Sequence, residues 1–88
     1  MERQVEIINK LGLHARAAAK MATLAARFGC KIQAVVEGKQ VDAKSVMSLM
    51  LLAAGKGTHM TLITEGDDAE EAMTALVALI DDRFGEGE

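Results

Sequence analysis

Runs of β-branched residues and runs of helical periodicity divide the chain into seven elements. Gln4 to Ile8 is β-branched and is followed by the turn formers Asn9-Lys10-Leu11-Gly12, which predicts a strand and then a loop. Ala15 to Phe28 is dominated by strong helix formers and puts Ala18, Met21, Ala22, Ala25 and Phe28 on one stripe, with Gly29 placed to end the helix. Lys31 to Val36 and Gln40 to Ala43 read as strands joined by a tight turn at Glu37-Gly38-Lys39, a hairpin. Ser45 is a good N-cap for the apolar run Val46 to Ala54, which Gly55 should stop. Met60 to Thr64 predicts a fourth strand. Asp67-x-x-Glu70 has the form of a capping box for a last helix running to about Phe84, its stripe Ala69, Ala72, Met73, Leu76 and Ile80.

The order strand, helix, two strands, helix, strand, helix (βαββαβα) fits an α+β fold in two layers, with helices on one face of a mostly antiparallel four-stranded sheet and the other face open to solvent. A chain of 88 residues is the length of one domain, so a single domain over 1–88 is expected. A domain this small buries only roughly 60 to 65 % of its unfolded surface, so every apolar face must be used. Residues 85–88 are polar, carry nothing to pack, and are expected to fray. No internal repeat or linker interrupts the pattern.

Composition narrows the function classes. The net charge is −3 and the only aromatic residues are Phe28 and Phe84, so there is neither a basic stripe for phosphates nor a platform for stacking bases, which argues against DNA and RNA. Met1 to Val5 lacks the basic and apolar segments of a secretory leader, and no apolar run approaches the roughly 20 residues that span a bilayer. A lone Cys30 forms no internal disulfide and reads as a small packed hydrophobe; with the rest it points to the cytoplasm. A monomer without cofactor or metal is expected.

The candidate chemistry lies at His14. It stands between the loop Leu11-Gly12-Leu13 and the first helix, beside backbone N–H groups with no partner inside that helix, those of Ala15 and Ala17 among them, which makes an anion site. Arg16 lies in the first turn, where a cation opposes the helix dipole; a phosphoryl group on the imidazole would make that charge complementary. Neutral imidazole can attack phosphorus, and the phosphoramidate formed is reactive enough to be passed on. Position alone still favours a plainer reading, in which His14 is an N-cap with a surface arginine nearby. A third reading is a regulatory module that holds an anionic metabolite at the same helix start.

Gly12-Leu13-His14-Ala15-Arg16-Ala17-Ala18, together with Asp42-Ala43-Lys44-Ser45-Val46-Met47 and Ala53-Ala54-Gly55-Lys56-Gly57, resembles the histidine-containing phosphocarrier (HPr) family of the bacterial phosphotransferase system, and the element order matches along essentially the whole chain. The resemblance implies an open-faced β-sandwich. It also implies a relay protein, not an enzyme, in which His14 takes phosphate from Enzyme I at the ring nitrogen nearer the backbone and passes it to an Enzyme IIA, with Arg16 as charge partner. Sugar-uptake and nitrogen-related carriers share the motif. Many members carry proline where this chain has Ala17, which leaves one more backbone donor in the first turn and a less fixed φ.

In that family the serine at the position of Ser45 is phosphorylated in some bacteria by a dedicated HPr kinase; its plain role here is to cap the second helix. Phosphate there would put negative charge beside a docking surface. That helix is apolar at almost every position although only one stripe can be buried. If Leu49 and Leu52 face the core with Val46, then Met47, Met50 and Leu51 form a patch near His14, and Val46, Met47, Met50 and Leu51 are the partner-binding candidates; complete burial of the helix is the alternative. Gly55-Lys56-Gly57-Thr58 lacks the spacing of a phosphate loop and reads as a turn. His59 has no spaced ligand partners and reads as a solvated strand-edge residue, and Asp67, Asp68, Glu70 and Glu71 read as acids stabilising a helix start.

Overall fold

In the computed structural model, which describes residues 1–88, the β-branched runs become strands β1 (Glu2–Glu6), β2 (Lys31–Val36), β3 (Lys39–Asp42) and β4 (His59–Glu65), and the periodic runs become helices α1 (Ala15–Ala25), α2 (Val46–Met50) and α3 (Ala69–Asp81). The strands form one antiparallel sheet in the order β1-β4-β2-β3. The hairpin between β2 and β3 turns through Glu37 (φ 49) and Gly38 (φ 81), the two consecutive positive φ values of a type I′ turn, whose twist matches that of the strands. Along β2 and β4, Ile32, Ala34, Val36, Met60, Leu62 and Thr64 are buried beneath the helices while the intervening residues are partly or fully exposed. This is the expected two-layer α+β arrangement with one open sheet face.

α1 packs on α2 and α3, and α3 lies over β4 and β1. The stripes agree with the pattern: Ala18, Met21, Ala22 and Ala25 of α1 and Ala69, Ala72, Met73, Leu76 and Ile80 of α3 are buried. Each large aliphatic side chain taken out of water there contributes about 1.5–3 kcal/mol. Thr64, fully buried, satisfies its hydroxyl on the Ala69 carbonyl at 2.9 Å.

Several element ends depart from the expectations. α1 stops at Ala25, not Phe28: Arg27 and Phe28 bond back three residues to Leu24 and Ala25 in a tightened turn, and Gly29 does not adopt a left-handed cap. α2 ends at Met50, well before Gly55; the amides of Leu52 and Ala53 bond back to Leu49 and Met50, and Ala53 itself takes a left-handed φ of 50. β1 and β3 each lie earlier than predicted, although β1's pairing to the neighbouring strand continues through Ile7, which exchanges bonds with Thr58 and Gly57.

The capping box at Asp67 to Glu70 is not formed. Helix α3 begins after Asp68, whose carboxylate leaves the helix end and accepts the N–H groups of Gly29 and Cys30, both at 2.9 Å, tying the start of β2 to α3. The Gly29 N–H, then the Cys30 thiol, hold this carboxyl below its usual range. Cys30 is buried as expected, and burial first, then Asp68, pushes its thiol up. His59 is exposed as expected, but at the end of an inner strand and not on an edge strand, with Glu6 at 3.7 Å.

The chain end departs most. Instead of running on to Phe84, α3 ends at Asp81 and gives way to a single 3₁₀ turn, Arg83–Gly85, in which Arg83 (φ 53) and Phe84 (φ 55) are left-handed. That reversal drives the Phe84 ring into complete burial and sends residues 85–88 back across the molecule. The expected frayed tail is instead held: the Phe84 carbonyl accepts from Lys20 Nζ at 2.6 Å, and the Glu88 carbonyl from the Lys10 N–H at 2.8 Å.

Candidate functional site

Three segments meet at His14. The loop Asn9–Leu13 is set by Gly12, which has φ 70 and lies so close to Ala54 and Gly55 that a Cβ would stand 2.6 Å from the Ala54 carbonyl oxygen. Only glycine combines that backbone angle with that approach. The Leu13 N–H then bonds the same Ala54 carbonyl at 2.7 Å, so the segment after α2 is bolted to the residue before His14. This explains why α2 stops early: its continuation would carry that carbonyl out of reach.

His14 is the N-cap of α1, in extended backbone (φ −77, ψ 178), and its side chain makes no capping bond. The N–H groups of Ala15, Arg16 and Ala17 therefore find no acceptor within the protein, which leaves the positive end of the helix dipole and three donors beside the ring. The Ala17 methyl is fully buried, so that residue offers only its N–H; Ala15 is exposed. Arg16 is exposed and pairs with no carboxylate. Together with Lys10, Leu11, Lys20, Gly85, Glu86 and Glu88 these residues line an open cleft of about 310 Å³.

Two members of the site are invisible to sequence reasoning. The Glu86 carboxylate meets His14 Nε2 through one oxygen and accepts from Asn9 Nδ2 at 2.8 Å through the other. Asn9, wholly buried, also donates to the Gly12 carbonyl at 2.7 Å, so one amide braces both the loop and the tail. Burial pushes the Glu86 carboxyl up, but the hydrogen bonds from Asn9 and His14 and the charges of His14 and Lys20 outweigh it and leave the carboxyl below its usual range. With Nε2 engaged, the ring nitrogen nearer the backbone, Nδ1, makes no bond inside the protein.

Ser45 caps α2, its hydroxyl accepting from the Ser48 N–H at 3.2 Å. Leu49 and Leu52 are buried, whereas Met47, Met50 and Leu51 are exposed, Met47 by 77 %. Val46 is half-buried and packs on the core, so it belongs to the patch only at its margin. Leu11 is also exposed, and it lines the cleft.

A histidine at a helix start, ringed by free N–H groups and cations on a small open-faced sandwich, defines a protein built to hold an anionic group at its surface. The comparisons with known proteins make the class specific. The family model for the PTS HPr component phosphorylation site matches residues 1–82. The chain is 57 % identical to the phosphocarrier protein HPr of Cupriavidus necator, covering all of this chain and 99 % of that protein, and 49 % identical to the phosphocarrier protein NPr of Shewanella violacea, covering 98 % and 94 %. Among solved structures, HPr-C-His from Thermoanaerobacter tengcongensis superimposes with a TM-score of 0.94 at 46 % identity, over 98 % of this chain and 97 % of that one. The chain belongs to the HPr family. It is a phosphocarrier of the phosphotransferase system, a phosphoryl relay and not a catalyst.

Proposed function

We propose that His14 is the residue that carries the phosphoryl group, taken from Enzyme I and handed to an Enzyme IIA protein or domain in the cytoplasm. The observation that carries this reading is the unengaged Nδ1 of His14 beside three backbone N–H groups and the unpaired Arg16. Phosphoryl transfer asks little covalent chemistry of a protein beyond positioning and charge stabilisation. The helix start supplies donors for the oxygens, and Arg16, unfavourable against the dipole while the site is unphosphorylated, becomes favourable once a dianion arrives. Ala17 in place of the family's common proline keeps its N–H available as one of those donors.

Met47, Met50 and Leu51, with Leu11, are the surface on which both partners dock in this reading; flexible methionines suit two differently shaped partners. Ser45 is the site at which a kinase would regulate docking. A phosphate at the α2 N-terminus is well placed within the protein yet sets negative charge beside that apolar surface. Both HPr and NPr carriers stand among the relatives, so the acceptor class, for sugar uptake or nitrogen regulation, is decided by which Enzyme IIA discharges the phosphorylated protein.

The test is incubation with phosphoenolpyruvate and Enzyme I, read by intact mass. One acid-labile phosphate is expected on the wild-type chain and none on His14→Ala. Absence of any mass shift on the wild type rejects the relay through Enzyme I, and a phosphate retained on His14→Ala moves the site elsewhere.

A further inference from the structure

We infer that Glu86 is a positioning residue for phosphoryl transfer: its carboxylate keeps a proton on Nε2 of His14, so that Nδ1 takes up and gives up the phosphoryl group with no proton moving at either step. The inference rests on the reading of His14 as the carrier. Its basis is geometric. The chain reverses through left-handed Arg83 and Phe84, anchors by burying the Phe84 ring, and so presents Glu86 to Nε2, the ring nitrogen opposite the one left free. The second carboxylate oxygen is fixed by fully buried Asn9, which is itself tied to the Gly12 carbonyl in the loop before His14. Glu86 is thus held by the segment that positions the histidine, and only 16 % of its side chain is exposed.

The chemistry follows from the position of that proton. A carboxylate accepts only, so Nε2 must be the donor and the Nδ1 lone pair is the one free to attack. In the uptake step that lone pair forms the N–P bond while the donor's bond to phosphorus breaks and its electron pair leaves with the donor. The ring then carries one positive charge, with Nε2 still protonated, beside a phosphoryl dianion. In the second step the acceptor's electron pair forms the new bond to phosphorus, and the N–P pair returns to Nδ1, giving back the neutral imidazole. Were Nε2 deprotonated, the leaving group would be an imidazolate, a far poorer one. A carboxylate behind the ring performs the same service for a histidine in acyl transfer, fixing its tautomer and stabilising the imidazolium.

The surroundings show why the device is needed. Lys10, Arg16 and Lys20 all line the same cleft and repel the positive charge that the phosphorylated ring carries. Glu88 does not offset them at the ring, because it stands 3.8 Å from Lys10 with both side chains largely exposed, where an ion pair contributes little. Glu86 alone hydrogen-bonds the imidazole, and its depressed carboxyl keeps it ionised across the neutral range.

The experiment follows loss of phosphate from the purified phosphorylated protein between about pH 5 and pH 9 for wild type, Glu86→Gln and Glu88→Gln, with the thermal midpoint of each measured beside it. The isosteric Glu86→Gln keeps an acceptor for Asn9 and loses the charge. Its phosphate-loss profile is expected to move about one unit toward acid, so that on the alkaline side it loses phosphate about tenfold more slowly than wild type while the rates converge at low pH. Glu88→Gln should follow wild type. Superimposable profiles for wild type and Glu86→Gln, or an equal shift in Glu88→Gln, would overturn the role of Glu86 while leaving His14 as carrier. Failure of the wild type itself to take phosphate would overturn the carrier reading first.

Discussion

Replacing Gly12 with alanine tests the joint on which the site is hung. Two costs add at this position. At φ 70 a Cβ is strained by roughly 1–2 kcal/mol. It would also lie 2.6 Å from the Ala54 oxygen and 2.7 Å from Gly55 Cα, both backbone atoms without a rotamer to escape into. Relief requires the loop to move off the segment after α2, which weakens the 2.7 Å bond from Leu13 to Ala54; overpacking of this kind costs typically about 1–3 kcal/mol. The sum, about 2–5 kcal/mol, should lower the thermal midpoint by roughly 10 to 40 °C at the 4–8 °C per kcal/mol of a domain this size. Two other glycines separate the terms. Gly38 has φ 81 with nothing within 4 Å of a built Cβ, so Gly38→Ala shows the backbone cost alone; Gly29 has neither positive φ nor a neighbour, so Gly29→Ala should be neutral or slightly stabilising. Thermal unfolding followed by circular dichroism ranks the three, and phosphoryl uptake reads the damage to His14. If Gly12→Ala proves no less stable than Gly38→Ala, the close approach is not what fixes the loop.

Met47→Glu should leave the thermal midpoint nearly unchanged, since Met47 is 77 % exposed, but weaken docking on the order of tenfold in the Enzyme I concentration needed for half-maximal phosphorylation. Ser45→Asp, which keeps a good N-cap, should do the same; transfer kinetics equal to wild type in both would remove the patch from the mechanism. Because the Gly29 N–H and the Cys30 thiol hold the Asp68 carboxyl below its usual range in the folded protein, its contribution to stability is complete above the ordinary value of about 3.9 and is lost as pH falls through the lower folded value. Asp68→Asn should therefore lose less stability than wild type between about pH 4 and pH 2 in urea titrations; parallel losses would mean that Asp68 is not linked to folding.

Much of this was legible before any coordinates. The stripe of α3, the tight turn at Glu37-Gly38-Lys39, the Ser45 cap and the split of the apolar run from Val46 into buried Leu49 and Leu52 and exposed Met47, Met50 and Leu51 are local matters of period, propensity and capping. The helix ends were not legible in the same way. Sequence signals describe an isolated helix, whereas the segments after α1 and α2 bond elsewhere, Gly29 and Cys30 to Asp68 and Leu13 to Ala54, and the chain after α3 reverses through Arg83 and Phe84 to bury the Phe84 ring.

His14 and Arg16 belong to the sequence in the same sense. Their place at a helix start follows from the loop formers before them and the alanines after, and the neighbouring motifs mark the family. What the sequence by itself did not determine is what holds the ring nitrogen of His14 farther from the backbone. That was decided by the tertiary structure, through Asn9 and Glu86, which lie 77 residues apart and read singly as a turn former and a polar tail residue. No periodicity or spacing links residues so far separated. Only the reversal of the chain at Arg83 and Phe84, enforced by burial of the one ring, brings that carboxylate to the histidine.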